Sequence, residues 1–154
     1  MKKIYLIIPL FLLLPIFVPN KNMTYENKEV IPKDVIIFDK ETYKRAEAIK
    51  YVETKGNCNL RGADGEIGCW QIMPSTWKAL TKKHLGEVKG YSTTTEEFIV
   101  YKEIQSLGNL KPQQVFLRWN AGGATKCSRG ITKAGVPFDS CAYVKKVMEK
   151  YGNL

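Results

Sequence analysis

A carboxylic acid that keeps its proton near neutral pH can cleave a glycosidic bond by general acid catalysis, and the surroundings of Glu53 favour one. Before it, Ala46, Ile49 and Val52 recur at i, i+3 and i+6, the apolar stripe of a helix. Glu53 stands four residues after Ile49 and borders that stripe. Gly56 suits the residue that ends a helix, so Glu53 falls in the last turn. The negative end of the helix dipole and partial loss of hydration both work against its charge. An ordinary surface glutamate near a helix end is the competing reading. Glycoside cleavage usually takes two carboxylates. Asp64 and Glu66, in the loop between Cys58 and Cys69, are candidates for the second. Asp64 also suits the turn of Asp64-Gly65, and Glu66 a solvated loop position. His84, the single histidine, lies beside Lys82 and Lys83 and reads as a cation at a helix C-terminus. A Cys–His nucleophile pair is not supported.

Four short motifs follow one another around Glu53. They are E-T-x-G-N at 53–57, G-x-W-Q-I-M-P-x-T-W at 68–77, W-N-A-G at 119–122 and A-Y-V-K-K-V at 142–147. In this order and spacing they resemble the lytic transglycosylases of the soluble (SLT) type, over roughly residues 42–151. The resemblance implies a mainly α, lysozyme-like α+β domain with several helices around a substrate cleft and at most a small β-hairpin. It implies cleavage of the β-1,4 bond between N-acetylmuramic acid and N-acetylglucosamine in peptidoglycan glycan strands, with no cofactor and no metal. Glu53 alone would protonate the leaving oxygen and then take the proton of the sugar's 6-hydroxyl, closing a 1,6-anhydro ring. The substrate's N-acetyl group would assist at C1.

The resemblance also suggests substrate-binding positions. Gln71 stands at the Gln of the family's G-L-M-Q, and Gly68 at the Gly that lets the chain pass close to the sugar. Cys69 and Trp70 replace Leu and Met there, and Trp70 could stack on a sugar ring. Thr54 replaces the usual Ser, with a hydroxyl that could hold Glu53. Asn120 matches the Asn of Y-N-A-G, with Trp119 in place of Tyr. Tyr143 matches a Tyr whose hydroxyl lies near the catalytic Glu in the family. Each has a structural alternative: Gln71 as a polar residue before a helix, Asn120 as a helix C-cap, and Trp70, Trp119 and Tyr143 as core aromatics. A lysozyme-type muramidase, with Asp64 or Glu66 positioning water, and a non-catalytic wall-binding module are the other functional readings.

The positioning elements are readable from caps and periodicity. A helix is expected from Asp39 to about Lys55. A loop or small hairpin should follow over 58–69, turning at Asp64-Gly65. Pro74 opens a second helix, with Trp77, Leu80 and His84 or Leu85 on one side and Gly86 at its end. Thr94 and Glu97 form a capping-box pattern before Phe98, Tyr101, Ile104 and Leu107, and Gly108 closes that helix. Pro112 opens a helix carrying Val115, Phe116 and Trp119. Residues 121–137 read as a loop, and Asp139 or Ser140 caps a last helix with Tyr143, Val144, Val147 and Tyr151.

Residues 1–19 are Lys2-Lys3 and an apolar run, the pattern of a signal peptide or N-terminal anchor. The run is short against the about 20 residues of a membrane span, and no small-x-small cleavage site follows it. Residues 20–40 read as a linker ending in an extended piece, and 41–154 as one domain, expected to be monomeric. The chain has 24 basic and 15 acidic residues. An exported chain with this balance adsorbs to acidic polymers such as the cell wall. Nucleic acid is not expected, because the lysines are scattered and no nucleic-acid motif is present. Four cysteines without a C-x-x-C pair argue against zinc and, outside the cytoplasm, for disulfides. Of the three pairings, Cys58–Cys69 with Cys127–Cys141 is preferred because each staples a local loop beside a motif; four buried free thiols are the alternative. A reporter fused behind the segment beginning at Met1 should reach the cell envelope, and its retention in the cytoplasm would exclude the exported assignment.

Overall fold

Asp39 starts the first helix as expected. In the computed structural model, which describes residues 37–154, its Oδ1 accepts from the Thr42 amide at 2.8 Å and its Oδ2 from the Thr42 hydroxyl at 2.7 Å. Helix α1 (Lys40–Thr54) ends at Lys55, which is left-handed, with Gly56 continuing the left-handed exit. The leader and most of the linker lie outside the described residues. Helix α2 (Pro74–Leu85) has Pro74 in its first turn, where a missing N–H costs nothing, and Gly86 as its left-handed cap. Helix α3 (Thr93–Ser106) follows, then α4 (Pro112–Asn120), again opened by proline. Strands β1 (Arg129–Ile131) and β2 (Pro137–Asp139) form an antiparallel hairpin with Arg129 opposite Asp139. Asp139 then caps helix α5 (Ser140–Gly152), accepting from the Ala142 amide at 2.9 Å.

The fold is mainly α with one small two-stranded sheet. α1 lies against α3 and α5, α5 against α4, and α2 against α3. Ile49, Ile99, Ile104, Val115, Phe116 and Val147 meet in the core between them. Burying side chains of this kind contributes about 1.5–3 kcal/mol each.

Three expectations need correction. The hairpin lies at 129–139, not in the Cys58–Cys69 loop. That loop has only the single bridge of Arg61 to Ile67, and Ile67 in turn bridges Ile72. Its tip is closed by the Gly65 amide donating to the Gly62 carbonyl and the Gly62 amide to the Glu66 carbonyl, both at 3.1 Å, and by the Glu66 carboxylate accepting from the Asp64 amide at 3.0 Å. Second, the cap of α3 is Ser92, two residues before the expected Thr94, because the Ser92 hydroxyl accepts from the Thr95 amide at 3.2 Å. Its buried face is Glu96, Ile99, Val100, Tyr101 and Ile104, which leaves Phe98 and Leu107 at the edge of the core. Third, Trp70 does not face a sugar. It is 1% exposed, its indole N–H donates to the Ala46 carbonyl at 2.8 Å, and its ring meets Tyr101 edge-on.

Cys58 pairs with Cys69 and Cys127 with Cys141, across 11 and 14 residues. Loop closures of this length are worth about 3 kcal/mol each. Non-reducing peptide mapping should recover these two links alone. Replacing Cys127 and Cys141 by Ala should lower the unfolding free energy by about 2–4 kcal/mol. A Cys58–Cys127 or Cys58–Cys141 link would contradict the arrangement.

Candidate active site

Glu53 reaches into a cleft of about 800 Å³ from the last turn of α1. The cleft is lined by Gln71, Met73 and the start of α2 and by the end of α4 around Trp119 and Asn120. Tyr143 crosses from α5 and donates its hydroxyl to Glu53 Oε1 at 2.7 Å. Burial pushes the Glu53 carboxyl up to about 7. The Tyr143 hydrogen bond pulls the other way, and the charge of Glu66 pushes up again. The Tyr143 phenol is itself raised far above its ordinary value, by burial and by Glu53, so it remains a donor whenever Glu53 ionises. Near neutral pH the carboxyl is therefore poised to give a proton and to take one back.

The second-carboxylate candidates separate. Glu66 lines the cleft, close enough for its charge to act on Glu53. Asp64 is absent from the cleft lining and accepts instead from the Ala134 amide at 2.8 Å, tying the disulfide loop to the turn of the β-hairpin. His84 is more than a surface cation. Its Nε2 lies 2.8 Å from Glu103, which also pairs with Lys83 at 2.6 Å. Burial alone would raise the Glu103 carboxyl, but these two partners more than offset it and hold it below the usual range. Glu103 also lines the cleft.

Of the remaining sequence candidates, Gln71 and Asn120 both line the cleft. Gln71 has a left-handed backbone, φ 49°, and its Nε2 donates to the Gly68 carbonyl at 2.9 Å and the Leu60 carbonyl at 3.3 Å. That leaves Oε1 without a partner among the described residues. Asn120 ends α4, and the C-cap is its neighbour Ala121. Thr54 does not hold Glu53: its hydroxyl donates to the Cys69 carbonyl at 2.9 Å. Gly68 does not make room for a sugar. At φ 79°, a Cβ there would run into the Glu96 carboxylate and the Tyr91 hydroxyl. With Trp70 in the core, the cleft contains Glu53, Gln71, Asn120 and, through its bond to Glu53, Tyr143.

Glu96 was not singled out from the sequence. It is fully buried on α3 and accepts from the Cys69 amide at 3.1 Å, the Trp70 amide at 3.2 Å and the Tyr91 hydroxyl at 2.7 Å. Its position three and four residues before Ile99 and Val100 places it on the apolar stripe, the one signal that could have found it. Among the described residues no group of three or more His, Cys, Asp or Glu is placed to hold a metal ion, and no helix is long and apolar enough to cross a membrane.

No family model, curated protein or solved structure matches this chain. The raised Glu53 carboxyl has a consequence that needs no substrate. Between the ordinary value of 4.5 and about 7 the folded chain keeps a proton that the unfolded chain gives up. This contribution to stability therefore falls as pH rises through that window. Glu53→Gln should match the wild type in denaturant unfolding at pH 4. At pH 8 it should be more stable, by on the order of 1–3 kcal/mol. Equal stability at pH 8 would show that the carboxyl is not held above its ordinary value.

Proposed function

We propose that the chain is a peptidoglycan lytic transglycosylase with a lysozyme-like fold. It would cleave between N-acetylmuramic acid and N-acetylglucosamine and leave a 1,6-anhydro end. The carrying observation is Glu53, with its carboxyl raised to about 7 and bonded to Tyr143, at the edge of an open cleft. In this reading the protonated Glu53 gives its proton to the leaving glycosidic oxygen, and the substrate's N-acetyl group closes on C1. The Glu53 carboxylate, steadied by the Tyr143 hydroxyl, then takes the proton of the 6-hydroxyl as that oxygen attacks C1. The Gln71 Oε1, without a partner among the described residues, and the Asn120 side chain are the groups offered to the sugar. Two disulfides and the basic balance of the chain suit an exported protein acting on an acidic wall.

A muramidase is the second reading, favoured by one observation: Glu66 faces the same cleft and acts on Glu53. Glu66 could hold a water where the first reading uses the sugar's own hydroxyl. Asp64 is the weaker candidate, because it is not among the residues that line the cleft.

Fragments released from purified peptidoglycan decide between them by mass spectrometry: anhydro ends for the transglycosylase, reducing ends for the hydrolase. Glu53→Gln should remove at least about 10²–10⁴-fold of turnover. Glu66→Gln and Asp64→Asn should each cost less than about tenfold, some 1.4 kcal/mol of barrier. Full activity in Glu53→Gln would exclude the transglycosylase; reducing ends together with a large loss in Glu66→Gln would move the assignment to muramidase.

A further inference from the structure

Residues 67–72 make a tight reversal. Ile67 and Ile72 exchange backbone hydrogen bonds at 3.0 and 2.9 Å, and Gly68, Cys69, Trp70 and Gln71 form the turn between them. Two residues of this turn have left-handed backbones, and one, Gln71, is not glycine. A side chain held at positive φ persists only where its surroundings over-determine it. They do so here from both sides. The Glu96 carboxylate accepts the two successive amides at the tip, Cys69 and Trp70, as an anion sits in a nest of backbone N–H groups. On the other side the Cys69 carbonyl accepts from Thr54, the residue after Glu53. The Cys69 residue is thus held between α3 and the end of α1, with Glu53 on one flank and Gln71 on the other.

We propose that Glu96 is a positioning residue. By holding the turn at 68–71, whose Cys69 carbonyl meets Thr54, it sets where the Gln71 side chain stands relative to Glu53 in the cleft. Tyr91 completes the device. Its hydroxyl is the third donor to Glu96, and its ring meets Trp77 of α2 edge-on at 5.4 Å. The carboxylate therefore links the turn that carries Gln71 to α2, which also lines the cleft. Glu96 itself touches no substrate. Its role rests on the transglycosylase reading, in which Gln71 binds the glycan.

The test uses the oxidised full chain and soluble peptidoglycan strands. Tyr91→Phe keeps the ring against Trp77 and removes one donor, so it should fold and raise KM about 3- to 10-fold, with the pH dependence of kcat unchanged. Glu96→Gln keeps the shape but turns an N–H group towards the turn amides, and should raise KM by about 10- to 100-fold. Gln71→Ala should raise KM by itself, and adding Tyr91→Phe to it should change nothing further, because both act through one contact. A purely structural Glu96 would instead lower the melting temperature of Tyr91→Phe and leave KM of the folded protein at the wild-type value, which would overturn the proposal. Additive losses in the double variant would overturn the route through Gln71. Failure of the wild type to cleave or bind the strands would reject the transglycosylase reading and the positioning role with it.

Discussion

A carboxylate with no solvent exposure must find its donors inside the protein, because leaving an ionised group unpaired in the interior costs several kcal/mol (roughly). Glu96 has three, and two of them are consecutive backbone amides of one short turn. The turn cannot move away without stripping the carboxylate, and the carboxylate cannot move because α3 holds it among Ile99, Val100 and Ile104. Thr54 on the far side of the same turn brings in the end of α1, and the Cys58–Cys69 disulfide ties down the loop that leads into it. The placing of the turn that carries Gln71 against the end of α1 follows from this one satisfied side chain.

Two carboxyl sites in the lining of the cleft treat the group in opposite ways. At one, Glu53 has a neutral phenol as its hydrogen-bond partner and a neighbouring negative charge, so burial prevails and the proton is retained. At the other, Glu103 is also shielded from water, but Lys83 and His84 keep it ionised. Similar side chains with different partners have different protonation states, which is how a single fold separates a proton donor from a fixed charge.

What the sequence made legible was local. Asp39, Pro74, Pro112 and Asp139 mark helix starts through chemistry confined to a few residues, and all four do so in the structure. The cysteine pairs close short loops, and they too are found as expected. The approach of Tyr143 to Glu53 was expected from the resemblance alone, since no local pattern joins residues 90 apart. The phase of α3 was misread because its inward face includes a glutamate, against the rule that charge faces water. Taking Phe98, Tyr101, Ile104 and Leu107 as the buried face rotated the helix and hid Glu96. The hairpin at 129–139 escaped for another reason: five of its six strand residues are exposed, so no alternation of apolar and polar residues marks it. Trp70 and Gly68 occupy motif positions, but what each contacts depends on α1 and α3, which the motif does not contain.

Tyr143 and Val147 belong to α5, the last described helix, whereas Glu53 belongs to α1, the first described helix. A chain threading out of a ribosome or across a membrane presents α1 long before α5. During that interval Glu53 has neither its phenol partner nor the packed helix that shields it from water, so nothing raises its carboxyl and it ionises like any exposed glutamate. The proton-donating state is thus a property of the completed domain. The acid is acquired only when α5 docks onto α1.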